Sequence, residues 1–275
     1  MTRPVRTLLY APADRPDLAA KALAGDADVV VLDLEDAVAP ARKASARDAL
    51  AGLIAAAPAG RPVQVRVNQE HAPWHADDLA AVAELPASVG LRVPKVNRPE
   101  AVRALAAALP GRPLHLLLED ALGIEHAFAV ATADPAVATL GLGEADLRSD
   151  LGVSGEEGLA WVRSRVVTAA RAAGLPAPAM SVYPHVTDLD GLRASCVAGR
   201  ALGFVGRAAI HPRQLPAIRA AFTPDAAEVE RAREVLDRVA GAHQAGVGAV
   251  VLADGTFLDV AMVERARSVV ALAED

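Results

Sequence analysis

Short apolar runs alternate with longer amphipathic stretches along almost the whole chain. The runs at 7–13, 27–36, 63–68, 89–96, 114–120, 137–146, 179–184 and 206–212 predict eight strands. Several are almost continuously apolar, such as VVVLDL and LHLLL, as expected of strands covered on both faces. Between them, Ala-rich stretches such as 41–57 and 158–173 carry helical spacing, and Pro and Gly punctuate the joints. Eight βα alternations predict an α/β fold, a (β/α)8 TIM barrel; a doubly wound open sheet is the alternative. Beyond the eighth strand the pattern changes. A helix over 225–242 precedes GVGAVVLADGTFLDVAM (246–262), where Asp254-Gly255 between two apolar runs predicts a hairpin. A last helix runs from Val260 toward Leu272. The expected division is a barrel over 1–222 and a C-terminal helix-hairpin-helix extension over 223–275. The extension would cover the barrel's site or reach that of a neighbouring subunit.

The chain has 275 residues, which suits one barrel of about 250. Hydrophobic residues make up 53% and aromatics only 3%, so the core must be built from Ala, Val, Leu and Ile. The net charge of -6 argues against nucleic acid as a partner, because phosphate binding needs a basic face. Cys196 is the single cysteine; it lies in a helical run and reads as a buried thiol. With no disulfide framework, a reducing, cytoplasmic setting fits. No segment reads as a signal peptide or a membrane span.

Polar residues collect where the predicted strands end: Asp14 and Arg15, then Asp33, Glu35 and Asp36, then Arg66 and Asn68. Lys95, Glu119, Asp120, Asp146, Tyr183, His185 and His211 follow the same rule. A barrel gathers all these ends on one rim, where its active site lies. Glu119 and Asp146 end adjacent strands about 4.8 Å apart. Two carboxylates at matching heights can share a hard cation, Mg2+ or Mn2+; alternatively both simply favour helix N-termini. Arg66 offers a fixed fork of donors to a carboxylate or an enolate oxygen, or pairs with the acids of LDLED, or does both. Those acids could orient Arg66 or support a metal, or Asp36 could cap the next helix. Arg15 and Lys21 flank a helix start with Pro16 at its first position, an anion site or an ordinary capped helix. His211 reads as a structural hydrogen bonder.

Taken together, APADRPDLAAKA, VVVLDLEDAV followed by KASAR, VRVN, LRVPK, LLLEDALG, GLGEADLRSDLG and AIHPRQ resemble the HpcH/HpaI aldolase and citrate lyase β-subunit family. The resemblance spans nearly the whole chain. It implies a (β/α)8 barrel that makes or breaks a carbon–carbon bond beside a carbonyl. It implies Glu119 and Asp146 as Mg2+ ligands and Arg66, with Lys95, as substrate contacts. Arg66 and Glu35 are the catalytic candidates within the barrel. Arg15 and Lys21 match positions that meet coenzyme A in the malyl-CoA lyase branch. Asp259, on the C-terminal hairpin, matches a residue that enters the neighbouring subunit's site, which implies a homo-oligomer, a trimer or hexamer. The fifth-strand run continues Glu119-Asp120-Ala121-Leu122-Gly123 where relatives often have Glu-Thr-Ala-Arg-Gly, leaving Asp120 as an extra oxygen for the metal shell. Ala261 stands where a Pro is common.

The implied reaction is Mg2+-dependent cleavage of a malyl-CoA or citramalyl-CoA type ester to an acyl-CoA and a 2-oxo acid. The alternatives are a coenzyme A-independent pyruvate-type aldolase, a citryl lyase subunit fed by an acyl carrier partner, and a non-catalytic binding barrel.

Overall fold

The computed structural model describes residues 4–244, 250–251, 257–258 and 260–273. Eight parallel strands form one sheet: β1 (Thr7–Pro12), β2 (Val29–Asp33), β3 (Val63–Arg66), β4 (Gly90–Val93), β5 (Leu114–Leu118), β6 (Val137–Leu142), β7 (Ala179–Met180) and β8 (Gly206–Ala209). Their order is β6-β5-β4-β3-β2-β1-β8-β7, so the two sheet edges are the sequence neighbours β6 and β7. The cylinder is nearly closed there: the Glu144 amide just past β6 donates to Ser181 Oγ just past β7, at 3.2 Å. This is the (β/α)8 barrel read from the periodicity, and the open sheet is excluded.

The helices alternate with the strands: α1 (Pro16–Ala24), α2 (Lys43–Ala55), α3 (His75–Ala83), α4 (Pro99–Ala108), α5 (Ala121–Glu125) and α6 (Ala127–Ala131). They continue as α7 (Glu144–Leu151), α8 (Glu157–Ala172), α9 (Leu189–Ala201) and α10 (Leu215–Phe222). Strand β2 is buried at all five positions, as its unbroken apolar run requires. Inside the barrel, Leu8, Val29, Val31 and Ala208 pack together with Tyr10, Ala179 and Val182 against them. Between strands and helices lie Leu32, Leu34, Leu91, Leu114 and Leu116, all essentially without solvent contact. Cys196 is buried in α9, as its helical run implied, and burial pushes its thiol up.

The chain separates into two compact units, Val5–Arg219 and Ala220–Asp275 with Met1–Pro4. The second contains α11 (Ala226–Gln244), the antiparallel pair β9 (Val250–Val251) and β10 (Phe257–Leu258), and α12 (Val260–Ala273). Its core joins Ala232 and Val235 of α11 to Leu258 and Ala266. The predicted turn at Asp254-Gly255 lies outside the described residues, as does Asp259.

Polar side chains also tie loops to the barrel floor. Arg112, before β5, is 4% exposed and donates to four carbonyls, those of Val82, Leu85, Pro86 and Val89, at 2.6–3.0 Å. It ties the end of α3 to the turn that follows, where the Val82 and Pro86 carbonyls also accept the Leu85 and Val89 amides. Replacing Arg112 by Met keeps the apolar stem and removes the guanidinium donors from all four carbonyls. Urea denaturation of R112M is expected to show a loss of about 3 kcal/mol.

Candidate active site

Alignment of neighbouring strands sets the site. Pro12, Asp33, Arg66 and Arg92 are successive register partners on β1 to β4. Partners in a parallel sheet point to the same face, so Asp33 and Arg66 meet side by side. Arg66 donates from Nε to Asp33 Oδ1 at 2.8 Å and from Nη2 to Asp33 Oδ2 at 2.6 Å. This two-point clamp uses one edge of the guanidinium. On the other edge Nη1 donates to the exposed Asp36 at 3.2 Å and lies 2.7 Å from Glu35 Oε2. That Glu35 oxygen is buried and ion-paired, yet off the N–H directions and without a hydrogen bond. Arg66 also lies over the Tyr10 ring, 5.0 Å from its centroid. Burial alone would lower its pKa; Asp33 more than reverses that, so Arg66 stays charged. The pairing and the orienting role expected of LDLED are both present. Asp36 does not cap the next helix, because α2 begins only at Lys43, with Arg42 before it.

The loop carrying Glu35 is held from behind. Asp33 accepts the amides of Glu35 at 2.9 Å and Ala37 at 3.3 Å. Lys43, buried in the first turn of α2, donates to the Leu34 and Glu35 carbonyls and to Asn68 Oδ1 at 2.7–2.8 Å. Asn68 in turn donates to Leu34 O and to the fully buried Asp78. Lys43 has three acceptors for its three N–H groups, so it serves as a fixed pin. The KASAR motif contained this pin, but nothing in its spacing showed that Lys43 would turn inward.

Across the barrel mouth, Glu119 ends β5 and Asp146 lies in the first turn of α7. Glu119 is 5% exposed and has no hydrogen bond or ion pair among the described residues. A Cβ on Gly143 would fall 2.2 Å from Glu119 Oε1, so the carboxylate occupies the space where residue 143 would otherwise carry a side chain. Burial first, then repulsion from Glu35 and Asp146, raises Glu119 to about 8. Burial likewise lifts Glu35 to about 7 despite Arg66. Asp146 is half-exposed and accepts Lys95 Nζ at 3.1 Å. Lys95 holds a left-handed backbone, φ 54°, uncommon for a residue with a side chain and typical of functional sites. Burial works against its charge, but Asp146 raises its pKa. Arg66, Glu35, Lys95, Glu119 and Asp146 therefore form one electrostatically coupled group.

Asp120 belongs elsewhere. One of its oxygens accepts the Gly123 amide at 2.6 Å and the other Asn97 Nδ2 at 2.7 Å, making it the N-cap of α5. Both oxygens accept a hydrogen bond within the fold, so Asp120 serves as a helix cap. Arg15 and Lys21 are exposed on α1, and Arg15 pairs with Asp17 at 3.2 Å. His211 is structural, as read: its Nδ1 accepts the Arg213 amide at 3.1 Å. Sequence reasoning also missed Gly143 and Tyr10. A glycine directly before Glu144 in GLGE was the available sign of a close approach at Gly143.

Glu119 and Asp146 offer only oxygen donors, the set a hard divalent cation prefers. A buried carboxylate with no donor of its own fits such an ion. Among the described residues, no three His, Cys, Asp or Glu side chains converge into a cage. Any ion here would leave most of its coordination positions for water and substrate.

The family model described as HpcH/HpaI aldolase/citrate lyase matches residues 6–212. A (3S)-malyl-CoA thioesterase of Cereibacter sphaeroides is 36% identical, the match covering 98% of this chain and 95% of the relative. An L-malyl-CoA/beta-methylmalyl-CoA lyase of the same organism is 32% identical over 99% and 95%. The solved structure of CitE from Mycobacterium tuberculosis, in complex with magnesium, acetoacetate and coenzyme A, superposes with a TM-score of 0.83 at 33% identity, covering 99% of both chains. The chain is a lyase-type enzyme belonging to the HpcH/HpaI aldolase/citrate lyase family.

Proposed function

We propose that this protein is a Mg2+-dependent carbon–carbon lyase that cleaves a malyl-CoA or citramalyl-CoA type ester to an acyl-CoA and a 2-oxo acid. The observation that carries the reading is the pairing of a buried, donor-free Glu119 beside Asp146 with an Arg66 clamped by Asp33. The magnesium and coenzyme A in the similar CitE complex support it.

In this reading Glu119 and Asp146 hold Mg2+, with Mn2+ as a substitute. The bound ion would acidify the substrate hydroxyl and offset charge on the departing oxo acid. Lys95 binds the substrate carboxylate beside Asp146. Glu35, poised near neutrality, takes the hydroxyl proton at its Oε2. Arg66, unable to swing because Asp33 holds one edge, turns its remaining N–H groups toward the enolate oxygen. Its charge is already in place when negative charge develops, so little reorganisation is needed. Arg15, at the start of α1, and Lys21, in its last turn, both exposed, meet the coenzyme A phosphates. Asp259 of a neighbouring subunit in a homotrimer would return the proton to the enolate or activate water for thioester hydrolysis. The acidic net charge and the single buried thiol suit a cytoplasmic enzyme.

Incubating the protein with Mg2+ and each ester, and following oxo acid and free thiol separately, tests the reading. Oxo acid without thiol identifies a lyase; thiol as well adds the hydrolysis carried out by the thioesterase relative. Turnover of neither ester rejects the reading. Glu119→Gln should lower cleavage by roughly 10²-fold or more and abolish its response to Mg2+. Gly143→Ala should push the Glu119 carboxylate away and raise the Mg2+ concentration needed for half-maximal rate by about tenfold or more, with the circular dichroism spectrum unchanged.

The raised carboxylates also predict a pH effect. Glu35 and Glu119 titrate near 7 and 8 in the folded chain, against 4.5 as the ordinary value. Between those limits the folded protein binds more protons than the unfolded one, so stability falls as pH rises. The chelator-treated protein should melt at a lower temperature at pH 8 than at pH 6. Added Mg2+ should restore more stability at pH 8, since binding it no longer requires expelling protons.

A further inference from the structure

Below the group just described, the barrel interior is polar on one side. Gln64 on β3, Arg92 on β4, His115 on β5 and Thr139 on β6 face inward, Arg92, His115 and Thr139 being register partners in turn. Arg92 is 7% exposed. Its Nε donates to Gln64 Oε1 at 3.0 Å, and its guanidinium lies 5.9 Å from the Tyr10 ring centroid. No carboxylate pairs with it among the described residues. His115 binds Thr139 Oγ1 at 2.9 Å and is neutral: burial, then Arg92, lowers it to about 3. Arg92 is thus a buried charge with neutral Gln64 and His115 on one side and the cationic Arg66 on the next strand, an arrangement that costs stability unless a partner arrives.

Its terminal nitrogens are not sealed. Among the described residues, the Arg92 terminal nitrogens are not among the fully buried side-chain polar atoms that lack a hydrogen bond. Since these nitrogens make no hydrogen bond among the described residues, they border space that solvent enters. On the other side of the interior, Leu8, Val29, Val31 and Ala208 pack together with Tyr10 against them. Nη1 also lies 4.0 Å from where a Cβ of Gly141 would be, two residues before the glycine that cradles Glu119. Arg66, one strand away, differs in having three carboxylates around it.

We propose that Arg92 is a specificity-determining residue, whose free N–H groups receive a second carboxylate at the far end of the 2-oxo acid. The class of ligand rests on the lyase reading above, with a dicarboxylic 2-oxo acid as the product in place of glyoxylate or pyruvate. A coenzyme A thioester is too large for the interior and must leave through the rim, so the 2-oxo acid takes the deeper position. Its reacting end lies beside Glu119 and Asp146, and its other end points toward Arg92. A charged hydrogen bond there would offset the burial of Arg92, whereas a methyl group would leave the guanidinium unpaired.

Calorimetric binding of 2-oxoglutarate and of 2-oxopentanoate, similar in size but lacking the second carboxylate, tests this with the full chain and Mg2+. The wild type should bind 2-oxoglutarate at least about tenfold more tightly. Arg92→Met should abolish that preference while changing pyruvate affinity little, and Arg92→Lys should restore part of it. Equal wild-type affinities, a preference that survives Arg92→Met, or failure of 2-oxoglutarate to bind would overturn the proposal; the wild-type comparison decides even if a variant misfolds. Malyl-CoA or citramalyl-CoA cleavage without any 2-oxoglutarate preference would leave the lyase reading standing and remove the subsite. The preference without thioester cleavage would do the reverse.

Discussion

The contact between Asp33 and Arg66 organises everything around it. Two charges are almost withdrawn from water at the ends of adjacent strands, and such burial is tolerated only with good geometry and satisfied lone pairs. Both conditions hold. The guanidinium edge meets the carboxylate at two points, and the same carboxylate accepts the amides of Glu35 and Ala37. One side chain therefore sets the direction of Arg66 and the path of the loop bearing Glu35. Lys43 and Asn68 brace that loop from the other side. Removing Asp33 would unpair Arg66 and free the loop in the same step.

Opposed to this compensated pair is a group that lacks compensation. Among the described residues, Glu119 is buried with no donor and Glu35 leaves one oxygen without a hydrogen bond, and both rise toward neutrality. Lys95 and its strained backbone add to the cost. Sites that bind and react are commonly less stable than their scaffold, because their groups are arranged for a ligand. The scaffold tolerates this because β2 to β5 are sealed between apolar layers on their outer faces.

The barrel interior is correspondingly divided. On the side of β1, β2 and β8 it is filled by Leu8, Val29, Val31 and Ala208. On the side of β3 to β6 it holds Gln64, Arg92, His115 and Thr139. Tyr10 stands at the boundary with an arginine near its ring on each account, and burial raises its phenol.

Much of this was legible in the chain. Strand β2 had to be covered on both faces because VVVLD has no polar side, and eight such runs separated by helical spacing determine a barrel. The same alternation put Arg66, Glu119 and the acids of LDLED at strand ends. Local residue order could not show register, and register decided the rest. Only the alignment of Asp33, Arg66 and Arg92 across β2, β3 and β4 made one arginine a clamped partner and left the next with no carboxylate. Tertiary packing alone assigned Asp120 to a helix cap, turned Lys43 inward and gave Gly143 its place beneath Glu119. The sequence by itself determined which elements form and which residues stand at their ends, because periodicity and burial are local properties. The structure decided which of those residues meet, because charge pairing depends on distances between strands that are far apart in the chain.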